Sequence, residues 1–466
     1  MNADTEPAIP PESSHRPPAF RPVGKRIALV TFGSLGDLHP YLAIGLELKR
    51  RGHSPVIATS EYWREKVEAE GLDFAPVRPD AVEDLDERRA FLARLFDTRE
   101  GARIVLSELM MPVLRESFDD TRRAAEGADL MVAHPLTFSV RLISELDGIP
   151  WASSVLAPLS FLSSLDPPVL PIMSWLERFR WLGPRFHRAL FQLGRRQTIP
   201  WAKPWHALRA ELGLPPTREN PIFEGQHSPD LVLALFSEHL ARPQADWPPQ
   251  TVVTGFCDFD RNGAHEAPPE EVERFLEAGP PPVVFTLGSA AVWSPGSFYA
   301  ESLEAIRRLK ARAILLIGPE GVNALPKPLP EGVAAFGYAP YSSLFPRASA
   351  IVHQGGVGTT AQAMRAGRPM VVVPFGFDQQ DNAARVQRLG IARMIPKDRY
   401  SADRVARALR QLLDEPGPAD RAAEIGRRVR QENGAAVASD AIEALLARRF
   451  PSPATSQVPL HPSGTP

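Results

Sequence analysis

The most informative segment of the sequence is Val352-His-Gln-Gly-Gly-Val-Gly-Thr-Thr-Ala-Gln-Ala-Met-Arg-Ala-Gly-Arg-Pro369. An apolar run ends at His353, and a pattern with helical spacing begins at Thr359 and Thr360. Between them stand the glycines that let the backbone approach a ligand closely, Gly355, Gly356 and Gly358. Because a helix N-terminus offers unbonded amides and a positive dipole end, this unit predicts a diphosphate cradle, with His353 donating to a phosphate oxygen. A tight strand-to-helix turn with a hydrogen-bonded histidine explains the glycines equally well.

A second polar stretch follows the next apolar run, in Pro374-Phe-Gly-Phe-Asp-Gln-Gln-Asp-Asn-Ala383. Asp378 and Gln379 come after the end of a predicted strand, where parallel sheets present the groups that bind ligands. A carboxylate accepts hydrogen bonds and an amide both donates and accepts them, so the pair suits adjacent sugar hydroxyls. Taken alone, however, this stretch is better explained as a polar loop that begins the next helix.

Taken together, the two stretches resemble the donor-binding signature of the nucleotide-sugar-dependent glycosyltransferases, a family that includes plant, macrolide and glycopeptide enzymes. The resemblance implies that the diphosphate lies on the turn from Gly355 to Thr360 and that Asp378 and Gln379 hold the sugar. It implies three further donor contacts, which are Tyr338 on the base (where a tryptophan is common) and Gly288 and Ser289 on the diphosphate. Over most of the ordered chain the sequence is similar to the rhamnosyltransferase chain of rhamnolipid synthesis.

The N-terminal counterpart is Gly33-Ser-Leu-Gly-Asp-Leu-His-Pro40, which follows another apolar run. Members of the family carry a histidine or aspartate as catalytic base after the second glycine. The resemblance therefore implies that Asp37 deprotonates the acceptor hydroxyl and that Gly36 contacts the donor. His39 titrates closer to neutrality and is the rival base. The structural alternatives are a helix cap for Asp37 and a helix-start histidine for His39.

A further histidine, His134, follows the apolar run at 130–133. From the end of a strand it could reach the cleft, where we expect it to orient the acceptor or assist Asp37. A buried histidine bonded to the backbone is an equal alternative.

Alternating apolar runs and helical patterns predict the fold class. They form two series on either side of one aperiodic segment rich in proline and aspartate. This pattern predicts an α/β protein with two doubly wound, Rossmann-like domains facing a cleft, and the resemblance implies the glycosyltransferase B fold. The expected divisions are a proline-rich tail at 1–24, an N-terminal acceptor-binding domain at 25–240, a linker at 241–263, a C-terminal nucleotide-sugar-binding domain at 264–449 and a tail at 450–466.

The composition excludes several classes of partner and site. A formal net charge of -2 gives no overall field for nucleic acid. Cys257 is the only cysteine, so no internal disulfide or thiolate metal cluster can form, which fits a reducing cytoplasm. No spacing of His, Cys and Asp indicates a metal site, and we interpret Asp258-Phe-Asp260 as a turn.

Aromatic and basic residues alternate between 173 and 205, in the half expected to bind the acceptor. Such a segment can lie at a membrane interface or line an apolar acceptor pocket. The interpretation we favour from the sequence is a set of core aromatics with a basic solvated face. The segment still supports a hydrophobic acceptor and peripheral contact with the inner membrane face.

We therefore expect an inverting, metal-independent glycosyltransferase without a cofactor. It would move a hexose from a UDP- or dTDP-sugar to a hydroxyl of a small, hydrophobic or lipid-like acceptor. One alternative is a non-catalytic nucleotide-sugar-binding partner protein, which would have no need of a base at Asp37. The other is a dinucleotide-dependent oxidoreductase, suggested by Gly33-Ser-Leu-Gly36 after a strand, although the third glycine of that fingerprint is absent.

Overall fold

The computed structural model describes residues 24–82, 84–260 and 267–451. The two predicted tails lie almost entirely outside these ranges, as does the last part of the predicted linker, 261–263.

Two parallel sheets form the framework. The first has seven strands in the order β3-β2-β1-β4-β5-β6-β7, with the bounds β1 (Arg26–Val30), β2 (Ser54–Thr59), β3 (Asp73–Pro76), β4 (Leu130–Ala133), β5 (Trp151–Val155), β6 (Val232–Ala234) and β7 (Thr251–Val253). The second has six strands in the order β10-β9-β8-β11-β12-β13, with the bounds β8 (Val283–Thr286), β9 (Ala313–Leu316), β10 (Val333–Phe336), β11 (Ala350–His353), β12 (Met370–Val372) and β13 (Ala392–Met394).

Helices connect the strands and cover both sheets. They are α1 (Leu35–Arg50), α2 (Arg64–Ala69), α3 (Leu85–Leu95), α4 (Gly101–Arg103), α5 (Leu114–Ala124), α6 (Ser139–Asp147), α7 (Gly183–Thr198), α8 (Lys203–Glu211), α9 (Glu270–Glu277), α10 (Phe298–Leu309), α11 (Tyr341–Leu344), α12 (Val357–Ala366), α13 (Gln379–Arg388), α14 (Ala402–Leu413), α15 (Pro416–Val429) and α16 (Gly434–Arg449). A 3₁₀ segment, Pro171–Leu182, precedes α7.

The fold class predicted from the sequence is confirmed. The central strands are continuous apolar runs, such as Val-Val-Phe-Thr in β8 and Ala-Ile-Val-His in β11, and they are buried along their whole length. Strands of this kind need helices on both faces, which is the doubly wound arrangement.

The strand order reverses at one place in each sheet, between β1 and β4 in the first and between β8 and β11 in the second. In doubly wound sheets, ligands bind outside the carboxyl ends of the strands at such a reversal. The turn with Asp37 follows β1, and the glycine-rich turn that begins with Gly355 follows β11. The topology therefore places the two most informative motifs where each domain is built to bind.

The last helix crosses from one domain to the other. α16 packs against α1, and its buried residues Ala438, Ile442 and Leu446 join the apolar cluster of the first sheet. The expected C-terminal domain extends to Arg449, so its final helix lies on the N-terminal sheet. Likewise β7 pairs with β6 and adds an edge strand to the first sheet within the range expected to be a linker.

Candidate active site

Asp37 lies in the first turn of α1, just after β1. Its Oδ2 accepts hydrogen bonds from the amide and the hydroxyl of Ser34, at 2.8 and 3.1 Å, and so caps the helix. Its other oxygen, Oδ1, lies 3.4 Å from His134 Nε2. The helix-cap alternative is thus realised by one oxygen of Asp37, while the second oxygen faces a histidine in a side chain that is 34% exposed.

His134 follows β4, the strand next to β1 in the sheet. Its Nδ1 accepts a hydrogen bond from the amide of Leu136 at 3.1 Å. A neutral imidazole whose Nδ1 accepts carries its proton on Nε2, the nitrogen that lies nearest to Asp37. The structure therefore brings Asp37 and His134 together as a carboxylate–imidazole pair at the reversal of the first sheet.

His39, the rival base, has a different surrounding. Its ring lies 5.2 Å from the ring of Phe259, which belongs to the segment after β7. Asp37 is the partner of His134 in this arrangement. Gly36, the residue before Asp37, faces the other domain. A Cβ added at Gly358 would lie 3.7 Å from Gly36 Cα. The first turns of α1 and α12 therefore meet across the two domains.

The glycine-rich turn leads into α12, whose N-terminus has no side-chain cap. Thr360 N donates to Gly356 O at 2.9 Å as the first helical bond, which leaves the preceding amides from Val357 to Thr359 for a ligand. No acidic side chain occupies this first turn. Thr360 is buried, and its Oγ1 has no hydrogen-bond partner among the described residues. An anion would supply both the missing cap and the countercharge for the dipole.

The sequence predicts that His353 contributes a hydrogen bond to this cradle, and the structure shows a different role. Its ring is fully buried, its Nδ1 accepts from the amide of Gly355 at 3.0 Å, and its Nε2 lies 3.4 Å from Met370 Sδ. Burial lowers the pKa of His353 to about 3, so the ring is neutral. With both nitrogens turned into the fold, the expected hydrogen bond to a phosphate oxygen is not available here. The histidine instead holds the turn at Gly355.

A hydrogen-bond network supports the cradle from below, and no sequence motif pointed to it. The hydroxyl of Tyr341 lies 2.7 Å from Thr286 Oγ1 and also bonds Thr359. Gln354 Nε2 donates to Thr359 Oγ1 at 3.3 Å. A Cβ at Gly288 would lie 2.4 Å from the same amide nitrogen, so Gln354 links the turns that follow β8 and β11.

The other predicted donor residues lie at the same edge of the second sheet. Gly288 follows β8 with a φ of +64°, and the exposed Ser289 stands next to it. Tyr338 follows β10 and is half-buried. Of these residues, Gly288 lies beside Gln354 of the cradle, and the donor contacts of Ser289 and Tyr338 stay predictions.

Asp378 stands at the start of α13 and accepts a hydrogen bond from Asn382 Nδ2 at 2.7 Å. Burial, and then repulsion from the Asp37 carboxylate across the cleft, raise the pKa of Asp378 to about 7. Gln379 is more occupied than expected, because its Oε1 accepts from the amides of Phe375 and Gly376, at 2.8 and 3.3 Å.

Phe377, directly before Asp378, has a left-handed backbone with a φ of +56°. A residue with a Cβ adopts this conformation at a cost of about 1–2 kcal/mol. Its ring packs edge-on against Phe96 of the first domain, with 5.8 Å between the ring centroids. This contact between the domains holds the loop in its conformation and so fixes the position of Asp378 at the start of α13.

No group of three metal-ligating side chains occurs in the part of the chain that the structure describes. Asp258, from the Asp-x-Asp sequence, is paired with Arg365 at 2.6 Å. Burial raises the pKa of Asp258 to about 6. Asp258 and Asp260 lie in a segment that is neither helix, strand nor turn, so the turn predicted there is not formed.

Comparison with known proteins identifies the family. A model of the glycosyltransferase family 28 N-terminal domain matches residues 27–159, and one of the C-terminal domain of erythromycin biosynthesis protein CIII-like proteins matches residues 300–443. The chain is 34% identical over 418 residues to the O-mycaminosyltylonolide 6-deoxyallosyltransferase of Streptomyces fradiae, which covers 88% of this chain and 94% of that protein. The chain belongs to the GT-B glycosyltransferases.

Two further likenesses agree with this assignment. The glycosyltransferase is 26% identical over 460 residues to a sterol 3-beta-glucosyltransferase of Arabidopsis thaliana, over 94% of this chain and 71% of the plant protein. Its fold is that of the glycosyltransferase VinC in complex with dTDP, with a TM-score of 0.63, 21% identity and coverage of 91% and 100% of the two chains. The finer likeness to the rhamnosyltransferase of rhamnolipid synthesis stays a prediction.

In the aromatic and basic segment at 173–205, the exposure of the aromatic side chains contradicts the interpretation that we favoured from the sequence. Trp205 is buried, but Trp175 and Trp181 are 59% and 75% exposed, and their neighbours are exposed as well. The segment is therefore not a set of core aromatics. None of the described helices is long and apolar enough to cross a bilayer.

Proposed function

We propose that this glycosyltransferase moves a hexose, with inversion, from a UDP- or dTDP-sugar to a hydroxyl of a hydrophobic acceptor. One observation carries the proposal: the uncapped N-terminus of α12 faces the oriented carboxylate of Asp37 across the cleft. One side of the cleft thus offers an anion site and the other offers a base, which is what a displacement of diphosphate by a hydroxyl requires.

The reaction follows from these positions. The diphosphate lies on the amides from Val357 to Thr359, and Asp378 holds sugar hydroxyls. The acceptor oxygen attacks the anomeric carbon from the side opposite the diphosphate, its proton passes to Asp37, and the carbon–oxygen bond to the diphosphate breaks. The configuration inverts in this single displacement. His134 keeps Asp37 oriented, and the dipole of α12 stabilises the departing diphosphate without a metal ion.

The relatives support the class of donor and acceptor. One similar protein is named as a deoxyhexosyltransferase, another acts on sterols, and a protein of the same fold holds dTDP. A sterol is a hydrophobic hydroxyl compound, as this proposal requires of the acceptor. We place the reaction in the cytoplasm, in keeping with the single, buried cysteine Cys257.

The test is a transfer assay with UDP- and dTDP-hexoses and a panel of hydrophobic alcohols, in the presence of EDTA. We expect nucleoside diphosphate and glycoside to form in equal amounts, with NMR showing the anomeric configuration opposite to that of the donor. Retention of configuration, or activity that EDTA abolishes and magnesium restores, would contradict the mechanism. Donor binding without transfer to any acceptor would favour the alternative of a non-catalytic nucleotide-sugar-binding protein.

A further inference from the structure

The segment between β5 and β6 of the N-terminal domain exposes an unusual apolar surface. Eight of the fourteen large apolar side chains that are exposed in the described residues lie between 172 and 199. We call this set the apolar patch; it consists of Ile172, Trp175, Phe179, Trp181, Leu182, Phe186, Leu193 and Ile199. Single exposed apolar residues need no explanation, but a concentrated group of them marks an interaction surface.

The spacing of these residues shows how the surface forms. The 3₁₀ segment Pro171–Leu182 is kinked at Met173 and Phe179, and Ile172, Trp175 and Trp181 are exposed along it. On α7, Phe186 and Leu193 are seven positions apart and so lie on one face two turns apart. Both elements expose large apolar side chains, and no residue of the 3₁₀ segment is buried.

The patch is interleaved with positive charge. Residues 171–205 contain seven Lys and Arg residues and one acidic residue, in a chain with a formal net charge of -2. Arg180, Arg188 and Arg195 are bonded to Asp166, Ser164 and Glu224. Four other cations make no ion pair within the described residues, and these are Arg178, Arg185, Arg196 and Lys203.

The same segment borders the cleft. Val169 N donates to Asp381 Oδ1 at 3.0 Å, and Arg388 Nη1 lies 2.9 Å from Glu177 Oε1. Both partners belong to α13, the helix that begins directly after Asp378. The segment is therefore anchored to the helix that begins at the proposed sugar-binding residues.

We propose that the apolar patch and its unpaired cations dock the glycosyltransferase on an anionic lipid bilayer, from which a lipid-like acceptor reaches the cleft. Exposed tryptophans beside unpaired basic side chains match the boundary between acyl chains and negatively charged headgroups. A second copy of the chain is a poorer occupant, because a symmetric contact would bring the same positive surface against itself. The docking surface stands on these exposed residues alone; only the link to the acceptor rests on the proposed function.

Vesicle co-sedimentation of the full chain tests the docking without requiring transfer activity. We expect binding to phosphatidylcholine vesicles that contain phosphatidylglycerol, weak binding to pure phosphatidylcholine, and loss of binding as salt rises. Each basic residue near such a surface contributes about fivefold, so Arg178→Glu with Arg185→Glu lowers the affinity by about thirtyfold or more. We expect Trp175→Ser with Trp181→Ser to lower it by at least about tenfold.

Matched controls make the same changes elsewhere. Arg407→Glu with Arg410→Glu reverses two exposed arginines on α14, and Leu85→Ser with Leu413→Ser removes two other exposed apolar residues; both controls retain binding. All the patch variants keep the turnover of a short, water-soluble acceptor. The proposal is overturned if the wild type does not bind anionic vesicles, or if patch and control variants bind alike. A dimer that dissociates in the tryptophan variant, without vesicle binding by the wild type, assigns the patch to self-association instead.

Discussion

Replacing Asp378 by asparagine should stabilise the protein while impairing transfer. The pKa of Asp378 rises from the ordinary 3.8 to about 7 because the carboxyl is buried and faces Asp37. The folded state therefore binds a proton more tightly than the unfolded state, so ionisation at higher pH lowers the stability of the wild type. This pKa difference corresponds to about 4 kcal/mol. Because part of the side chain meets solvent, we expect about half of this, or about 2 kcal/mol.

Urea unfolding across pH measures the effect. Near pH 4 the wild type and Asp378→Asn should have similar stability, and the advantage of the variant should grow until about pH 7 and then stay constant. The new amide oxygen can still accept the hydrogen bond from Asn382. An equal difference at both ends of the pH range, or a less stable variant near pH 8, would refute this reasoning.

A matched control lies three residues further along the same helix. Asp381 is fully buried, accepts from Val169 N at 3.0 Å and pairs with Arg385 Nε at 2.8 Å. Asp381→Asn removes one of the two carboxylate partners of the buried Arg385, the other being Asp166, and should destabilise the protein by about 2 kcal/mol. Two aspartates on one turn of helix thus respond in opposite directions, because only one of them has a buried cation beside it.

Four further predictions concern the cradle and its supports. Gly355 has a φ of +90°, and an added Cβ would lie 2.7 Å from Val372 Cγ1, so Gly355→Ala should lose at least about 2 kcal/mol of stability in urea unfolding. Gly358→Ala has room in the fold, so it should unfold like the wild type, and weaker donor binding by calorimetry would place the ligand against it. Tyr341→Phe removes hydroxyl contacts worth about 1 kcal/mol and should weaken donor binding about fivefold in the same calorimetric titration. At the left-handed Phe377, the glycine variant should be more stable than the alanine variant by about 1 kcal/mol in thermal or urea unfolding, and the reverse order would contradict the backbone strain inferred there.

The sequence predicted those parts of the fold that depend on local pattern. Strands such as β1 and β8 are continuous apolar runs, and such runs are recognisable without any partner. The strands β3 and β7 left no comparable signal, because Asp-Phe-Ala-Pro and Thr-Val-Val are short edge strands that are only partly buried. The return of α16 to the first sheet depends on contacts between distant parts of the chain, which a local pattern cannot show.

In the site, too, the sequence showed local motifs but did not show how single side chains are oriented. The glycine-rich turn and the pair Asp378-Gln379 were recognisable because their residue types and spacing resemble a donor-binding signature, and their contacts with a donor stay a prediction. The orientation of a single side chain was not, since a histidine at the end of a strand can turn toward the ligand or into the core, and His353 turns into the core. The supporting hydroxyl of Tyr341 comes from another strand connection, so no motif at the cradle could include it.

The central claim is that Asp37, paired with His134, is the base that activates the acceptor. Its most direct test compares the turnover of the wild type, Asp37→Asn and His39→Asn at saturating donor, with donor affinity measured separately by calorimetry. We expect Asp37→Asn to lower kcat by at least about a hundredfold with little change in donor affinity, and His39→Asn to stay within about fivefold of the wild type. If His39→Asn loses turnover while Asp37→Asn keeps it, the assignment of Asp37 as the base is wrong.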